Sequence, residues 1–305
     1  MRIYTITLNP AYDIHAEAEH FLPCHENLAR VTSRDAGGKG VNISRALKNV
    51  GVENTAVVVV GRDNSADFIA ELSAASLDTV IFETEGRIRE NITLHSADAP
   101  ETRISFSGFA LDESILQKIP DTITVDSDTV ITFTGRVPDG ISIEAVKSFL
   151  LSLKKGGAKI VIDSRSFTLP DIFEVSPYLI KPNEEEIAEF LGEKIDTIEK
   201  AAAAALKIHK EGVENVMISL GGLGAVLACR EGVFSASAPK ITHVSTIGAG
   251  DSSIAGFISA ANEPCDTRLK RAVAFGSAAC LTAGSRPPLL ADIEKLLPKI
   301  TVSEI

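Results

Sequence analysis

Several features that would assign the chain to other protein classes are missing from its 305 residues. No apolar run approaches the length of a membrane span, and no repeat, low-complexity segment or interdomain linker is present. The four cysteines show neither paired nor metal-like spacing, which excludes a disulfide framework and indicates a reducing compartment. The six histidines include no H-E-x-x-H pair, so a metal site built by the protein itself is not expected.

Positive charge is also scarce. The formal net charge of -11 argues against a protein that coats nucleic-acid phosphates, but it permits a local basic pocket for a small anion. The opening MRIYTITLNPAYD becomes polar too early for a signal peptide and is expected to form a first strand. We therefore expect a cytoplasmic protein that binds neither nucleic acid nor membrane, with 45% apolar residues available for a sizeable core.

What the sequence does contain is a repeated alternation of short β-rich runs and amphipathic stretches. Strand followed by helix, many times over, predicts an α/β fold with a mostly parallel sheet covered on both faces. One helix is clearly delimited within IDTIEKAAAAALKIHKEG, where Asp196 or Thr197 can cap the start and Gly212 follows the end.

Two segments break the alternation. Residues 11–35 are polar and irregular, and residues 86–109 contain alternating β-type segments around a turn in ADAPE. We interpret both as insertions that form a small antiparallel flap beside the sheet. Such a flap could be a lid over a ligand, or equally an edge hairpin or a dimer surface.

Four motifs could carry chemistry, and each has a plain structural alternative as a turn or a helix cap. GGKGVN opens a helix, so its N–H groups, Lys39 and Asn42 can face a polar ligand. In KPNEEE, Asn183 and Glu186 share one face of a helix start and could hold the waters of a hydrated Mg²⁺. SLGGLGAV, which begins at Ser219, joins two strands through glycines that admit a flat or phosphorylated ligand close to the backbone.

The last motif, GAGD, places Gly248, Ala249 and Gly250 directly before a helix whose first turn contains Asp251. N–H groups in a first helical turn lack intrahelical partners and favour negative charge. A tight turn with an aspartate cap is the plain alternative. Neither this motif nor GGKG has the full spacing of a dinucleotide fingerprint or a P-loop.

Together and in this order, the four motifs resemble the ribokinase-like (PfkB) carbohydrate kinases, and the resemblance covers almost the whole chain. Both signatures of that family fit without a gap: GGKGVNISRALKNVG, with Gly61 at the expected distance beyond it, and STIGAGDSSIAGFI. TLNPAYD, GGKG and KPN are most similar to the branch that contains 1-phosphofructokinases and tagatose-6-phosphate kinases. The resemblance implies one three-layer α/β domain over residues 1–305, with residues 11–35 and 86–109 as a lid.

The resemblance also implies roles for individual residues in an ATP-dependent phosphotransferase that uses Mg²⁺. Asp251 would be the general base for the attacking sugar hydroxyl, and Gly248, Ala249 and Gly250 would form an anion hole. The nucleotide side, including Mg²⁺ ordered through water, would comprise Lys181, Asn183, Glu186, Ser219, Gly221 and Gly224. The sugar or sugar phosphate would be held by Asp13, Gly38, Lys39, Asn42, Arg89, Asn91 and Arg136. Members of this branch commonly pair through their lids, so a homodimer is expected.

Departures from the family pattern cluster in the acceptor pocket. Relatives usually have Asn-Arg before the glycine motif, with the arginine gripping the substrate phosphate, whereas this chain has Asn27 and Leu28. Arg136 stands where the usual SGSLP has a small serine, and DSRS adds Arg165 where DTSG is usual. Either Arg136, Arg165 or Arg30 replaces the lost grip, or the acceptor is not one of the usual sugar phosphates.

Three functions remain open from the sequence. The leading one is an ATP-dependent sugar-phosphate kinase, similar to 1-phosphofructokinase or tagatose-6-phosphate kinase. The second is a kinase of an unphosphorylated sugar or nucleoside. The third is a sugar-sensing protein that keeps the fold with little turnover, and the intact Asp251 with its glycine cradle argues against it.

Overall fold

A ten-stranded sheet in the order β14-β13-β12-β11-β10-β9-β8-β1-β4-β5 runs through the computed structural model, which describes residues 1–98, 101–284 and 286–305. Its strands are β1 (Arg2–Thr7), β4 (Thr55–Gly61), β5 (Asp78–Thr84), β8 (Thr129–Thr134), β9 (Lys159–Asp163), β10 (Leu179–Ile180), β11 (Asn215–Ser219), β12 (Ala225–Cys229), β13 (Gly232–Ala236) and β14 (Val302–Glu304).

The sheet is parallel from β11 to β5, and β12, β13 and β14 extend one edge in antiparallel fashion. Strands covered on both faces need apolar or well-bonded residues at every position. β4 reads TAVVVVG and β8 reads TVITFT, and all residues of β8 are buried. The predicted α/β fold with a mostly parallel sheet is therefore confirmed.

Helices cover both faces of this sheet: α1 (Lys39–Asn49), α2 (Ser65–Ala74), α3 (Ile115–Lys118), α4 (Ile143–Lys155), α5 (Leu169–Val175), α6 (Glu184–Leu191), α7 (Ile198–Lys210), α8 (Ala249–Ser259), α9 (Cys265–Ala279) and α10 (Leu290–Leu296). Because successive strand residues point to opposite faces, β9 sends Ile160 and Ile162 into one hydrophobic core and Val161 into another. The first core contains side chains of α2 and α4–α7, and the second those of α1, α8, α9 and α10. The three-layer arrangement follows.

No helix in the described part of the chain combines the length and the apolar character that crossing a membrane requires.

A separate four-stranded sheet, called the lid below, has the order β3-β2-β6-β7. It consists of β2 (Ala11–Ala18), β3 (Arg30–Gly37), β6 (Arg89–Ser96) and β7 (Thr102–Ser105). Both insertions predicted from the sequence therefore contribute two strands each. The turn predicted in ADAPE includes residues 99 and 100, which lie outside the described residues.

The lid is mixed, so the prediction of an antiparallel flap was wrong in one respect. β2 pairs with β3 and β6 with β7 in antiparallel fashion, but β2 and β6 are parallel to each other. Each insertion is an outgoing strand followed by a returning one. Because β2 follows β1 and β6 follows β5, both outgoing strands leave the carboxyl edge of the main sheet in the same direction. The lid consequently stands beyond that edge, where ligands of parallel α/β sheets bind.

Candidate active site

A cavity of about 680 Å³ lies between the lid and the carboxyl ends of the central strands. Of the residues predicted from the sequence, those lining this cavity are Asp13, Gly38, Lys39, Asn42, Arg89, Asn91, Arg136, Lys181, Asn183, Glu186, Gly248, Gly250 and Asp251. The structure thus brings the predicted sugar-binding residues and the GAGD motif, which are distant in the sequence, to the walls of one space. We call it the acceptor cavity.

A second cavity of about 610 Å³ adjoins the first, because both are lined by Asn183 and Gly250. Three further residues predicted on the nucleotide side, Ser219, Gly221 and Gly224, line it together with Ala249. Lys181 and Glu186 were predicted on the nucleotide side but line the acceptor cavity instead. Two adjoining cavities that meet at a helix start are suited to two substrates that react with each other. We call the second one the nucleotide-side cavity.

The start of α8 lies where the cavities meet. Gly248 is its N-cap in the left-handed conformation, with φ of 76°, and the Ala249 N–H donates to the Thr246 carbonyl at 3.4 Å. Gly250 faces Lys181 closely, because an added Cβ would lie 3.1 Å from Nζ of that side chain. The first-turn N–H groups and the Lys181 ammonium therefore present positive charge to the same point.

Asp251 follows in the first turn of α8 and is 6% exposed. Its Oδ2 accepts a hydrogen bond from Nδ2 of Asn42, on α1, at 2.8 Å. Burial raises the pKa of Asp251 to about 6, with Lys39 opposing the shift and Asp163 adding to it. The carboxylate is therefore oriented, and its pKa is close enough to neutrality for it to accept a proton from a bound hydroxyl.

An ion pair between a half-buried lysine and a buried aspartate lies beside this carboxylate. Nζ of Lys39 donates to Oδ2 of Asp163, the last residue of β9, at 2.7 Å. Burial opposes both charges, but mutual attraction outweighs it, so the pKa of Lys39 is raised and that of Asp163 is lowered. Sequence reasoning did not single out Asp163 as a site residue. Its signal was a carboxylate at the carboxyl end of an apolar strand.

Asn183 and Glu186 form a capping box at the start of α6. Oδ1 of Asn183 accepts from the Glu186 N–H at 2.8 Å, and Oε2 of Glu186 accepts from the Asn183 N–H at 3.1 Å. The helix-cap alternative is thus realised. Nε of Arg165 also donates to Oε1 of Glu186 at 2.8 Å. This hydrogen bond raises the pKa of the Arg165 guanidinium.

These two residues still fit a hydrated Mg²⁺, because both line the acceptor cavity with hard oxygen donors of the kind that Mg²⁺ prefers. Within residues 1–98, 101–284 and 286–305 no three His, Cys, Asp or Glu side chains are grouped closely enough to hold a metal ion by themselves. Mg²⁺ would therefore be held through water and substrate phosphates, as is usual for this ion.

The lid contributes a polar inner face to the acceptor cavity. Asp13 on β2 and Asn91 on β6 are direct neighbours in register, and Nδ2 of Asn91 donates to Oδ1 of Asp13 at 3.1 Å. Asp13 is 9% exposed. A buried carboxylate and amide next to each other offer both an acceptor and a donor to sugar hydroxyls.

Four arginines line the acceptor cavity: Arg165, paired with Glu186, and three others, which are Arg89 on β6, Arg103 on β7 and Arg136 after β8. Burial lowers the pKa of Arg89, Asp13 opposes this, and the like charge of Arg136 lowers it further. Arg89 donates to the Phe106 carbonyl at 3.2 Å. Neither the Arg103 nor the Arg136 guanidinium has a hydrogen bond or ion pair to any residue that the structure describes. Arg103 and Arg136 therefore carry positive charges without a counter-charge among the described residues, which suits an anionic ligand. Arg103 was not predicted from the sequence.

The three arginines that could replace the missing phosphate grip have different surroundings in the structure. Leu28, at the position of that grip, is 94% exposed and does not line the acceptor cavity. Arg30 lies outside the cavity as well, and its Nη2 donates to Oε2 of Glu17 at 3.2 Å. Arg165 lines the cavity but is engaged by Glu186, as described above. Arg136 remains as the candidate whose guanidinium is free among the described residues.

Comparison with known proteins gives the same family that the sequence motifs resemble. Residues 6–292 match the sequence model of the pfkB family carbohydrate kinase. The chain is 32% identical to the 1-phosphofructokinase of Haemophilus influenzae over 259 residues, which cover 84% of this chain and 83% of the relative. It is 30% identical to the 1-phosphofructokinase of Bacillus subtilis over 307 residues, which cover 99% of this chain and 100% of the relative.

The main sheet, with helices on both faces and the lid beyond its edge, defines a ribokinase-like fold. The crystal structure of phosphofructokinase-2 from Escherichia coli in complex with substrates and products matches with a TM-score of 0.90 at 24% identity, covering 98% of this chain and 99% of that one. The chain belongs to the pfkB family of carbohydrate kinases. It is a phosphotransferase of a family that uses ATP.

Proposed function

We propose that this chain is an ATP-dependent sugar-phosphate kinase that phosphorylates a hydroxyl of fructose 1-phosphate or tagatose 6-phosphate. The observation that carries the proposal is the position of Asp251, a buried carboxylate in a cavity that also contains the uncompensated charges of Arg103 and Arg136. A proton acceptor and an anion site in one cavity match an acceptor that carries both a hydroxyl and a phosphate. The relatives named 1-phosphofructokinase favour fructose 1-phosphate.

In the reaction, Asp251 takes the proton of the acceptor hydroxyl as its oxygen bonds to the γ-phosphorus and the bond to ADP breaks. Asn42 orients the carboxylate through its 2.8 Å hydrogen bond. The backbone of Gly248, Ala249 and Gly250 forms the anion hole, and Lys181 adds positive charge beside Gly250. The half-buried Lys39 ammonium stabilises negative charge on the same side.

On the nucleotide side, ATP would lie against Ser219, Gly221 and Gly224, where the glycines leave the backbone accessible. Asn183 and Glu186 would hold Mg²⁺ through water, and the bound ion would neutralise charge on the phosphate oxygens. Arg165 engages one oxygen of Glu186, so this carboxylate is already partly neutralised without a metal ion.

The first test measures ADP release from MgATP with fructose 1-phosphate, tagatose 6-phosphate, fructose 6-phosphate, ribose, fructose and a nucleoside. Turnover with a phosphorylated ketose alone is expected. Turnover with an unphosphorylated acceptor instead would mean that Leu28 marks a real loss of the phosphate grip. Sugar-induced thermal stabilisation without any ADP would identify a sensor and overturn the kinase proposal.

The pH dependence of the rate should report the ionisation of Asp251. Because burial raises its pKa to about 6, the base is ionised above that pH and protonated below it. We expect kcat/KM for the acceptor to fall about tenfold per pH unit below pH 6 and to be level just above 7. Initial rates of ADP release at constant ionic strength measure this, and a rate that stays level down to pH 5 would contradict it.

The outer face of the lid supports the proposal of a homodimer. Ile14, Ile92 and Ile104 are neighbours in register on β2, β6 and β7 and form an apolar row. Ile104 is 48% and Phe106 51% exposed. Phe109 is 7% exposed and packs in the first hydrophobic core, so it cannot contribute to this surface. We propose that the lid of a second copy covers this row.

Charge placed in this row should separate the two copies. Ile104→Glu is expected to convert the protein to a monomer at micromolar concentration, because an unpaired carboxylate would be buried in the interface. Sedimentation velocity measures the change, with Lys118→Glu on α3 as a control outside the lid. A wild-type chain that sediments as a monomer would disprove the dimer.

A further inference from the structure

Two carboxylates of the acceptor cavity are held by two side chains from the start of one helix. Lys39 and Asn42 are three residues apart at the start of α1, so both side chains lie on one face of that helix. Nδ2 of Asn42 donates to Oδ2 of Asp251 at 2.8 Å. Nζ of Lys39 donates to Oδ2 of Asp163 at 2.7 Å. The proposed base thus receives the neutral donor, and the other carboxylate receives the cation.

Asp163 is a buried carboxylate to which the proposed mechanism assigns no step. Its side chain is 4% exposed, and burying such a charge costs free energy unless it is paired. Its main chain is fixed in the sheet, because Thr134 of β8 is its neighbour in register and its carbonyl accepts the Gly135 N–H at 3.0 Å. A carboxylate on a rigid strand end holds its partner in one place. The ion pair therefore fixes the position of the Lys39 ammonium.

We propose that Asp163 is a positioning residue, which holds the Lys39 ammonium at the end of β9 and so prevents an ion pair between Lys39 and Asp251. This inference rests on the proposed role of Asp251 as the base. Lys39 and Asp251 both line the acceptor cavity, and Asn42, one turn beyond Lys39, already contacts Asp251. Without the Asp163 carboxylate, Lys39 would be drawn to Asp251. An ion-paired carboxylate is a weaker base, and its oxygens are less available to the acceptor hydroxyl.

The charged groups around these residues agree with this division. Burial raises the pKa of Asp251, Lys39 lowers it, Asp163 raises it further, and Lys181 lowers it. Burial also acts to raise the pKa of Asp163, but attraction to Lys39 and Lys181 outweighs this effect, so the pKa is lowered. Asp163 is therefore ionised throughout the pH range in which the base titrates. Glu186, which also attracts Lys39, is already paired, as described above.

The experiment follows the ionisation of Asp251 directly, by carbon-13 NMR of the full chain labelled at the aspartate side-chain carboxyl carbon, without any substrate. The resonance that is missing from Asp251→Asn identifies Asp251. Its midpoint is expected at a pH of about 6 in the wild type and about one pH unit or more lower in Asp163→Asn. An unchanged midpoint would overturn the proposal. Asp163→Ser repeats the measurement if Asp163→Asn does not fold.

A second background separates the position of Lys39 from the simple loss of a charge. Asp163→Asn removes a negative charge, which by itself lowers the pKa of Asp251. In a chain that already carries Lys39→Met, this simple effect is all that remains. We therefore expect Asp163→Asn to shift the midpoint there by about half as much as it does beside Lys39, or less. Equal shifts in the two backgrounds would overturn the proposal.

The rate profile gives a kinetic readout that a merely structural role would not change. In Asp163→Asn the acid limb of kcat/KM should move to lower pH together with the NMR midpoint, and the rate above pH 7 should fall about three- to tenfold because the base is weaker. Asp163→Glu restores a carboxylate and should return the limb towards its wild-type position. A lower rate with the limb unmoved would overturn the proposal. An NMR midpoint that moves as expected, in a chain that releases no ADP with any acceptor, would support the holding of Lys39 and overturn the proposed function instead.

Discussion

Replacing Asp251 with asparagine is expected to lower kcat by about a thousandfold, the scale of a lost general base. The amide keeps the size of the carboxyl group, and its oxygen can still accept the hydrogen bond from Nδ2 of Asn42. It cannot take the proton of the acceptor hydroxyl. Since the nucleotide-side cavity is not lined by Asp251, affinity for the nucleotide should change little. Steady-state ADP release and calorimetric titration with MgADP measure the two effects.

The same substitution should stabilise the fold, which separates lost chemistry from misfolding. The folded-state pKa of Asp251 is raised to about 6 from an ordinary value of 3.8, so between these pH values the folded protein binds more protons than the unfolded chain. Stability is therefore lost as the pH rises through this window and stays lower at pH 7. Asp251→Asn should raise the melting temperature at pH 7, with a smaller gain near pH 4. Near-normal turnover in this variant would remove Asp251 from the role of base.

Local patterns were sufficient to predict the layers of the fold. Apolar strands alternating with amphipathic helices specify a parallel sheet covered on both faces, and the start of α7 follows from its cap, since Thr197 accepts from the Lys200 N–H at 3.3 Å. The parallel pairing of β2 with β6 could not be predicted in this way. It depends on which strand of one insertion lies next to which strand of the other, and no local pattern records that choice.

The residues of the candidate site also fall into those that local sequence predicts and those that depend on the tertiary fold. Gly38 stands in its motif because backbone geometry demands it: its φ is 122°, a conformation that other residues rarely adopt. Such demands are visible in a sequence. The ion pair of Lys39 with Asp163 joins α1 to β9. The sequence around either residue does not indicate that the two will be partners.

Arg165 illustrates a third case, in which the sequence identified a residue of the cavity but left its role open. It was one of three candidates for a phosphate grip, but the structure pairs it with Glu186. Whether a cation faces a ligand or a neighbouring carboxylate depends on which loop lies opposite it. That choice is made by the tertiary fold, which brings the loop after β9 against the start of α6.

Arg136→Ser is expected to raise KM for the phosphorylated acceptor by about 30- to 100-fold, since a charge-assisted bond to an anion contributes about 2–3 kcal/mol. Arg136 lines the acceptor cavity without a partner in the described part of the chain, so its charge has no structural task that the substitution would disturb. The serine also restores the side chain usual at this position in the family. KM for ATP should stay close to the wild-type value.

The matched control is Arg30→Ser, which removes the same charge from an exposed side chain that pairs with Glu17 outside the cavity. A long-range effect of net charge would weaken acceptor binding in both variants and would fade with added salt. Contact with the substrate phosphate would affect Arg136→Ser alone. Adding Arg103→Ser tests the rest of the anion site: if the two arginines grip one phosphate, their combined effect on KM should depart from the product of the single effects. An unchanged KM for the sugar phosphate in Arg136→Ser would assign the grip to Arg89 and Arg103 and leave the departure at Arg136 unexplained by substrate binding.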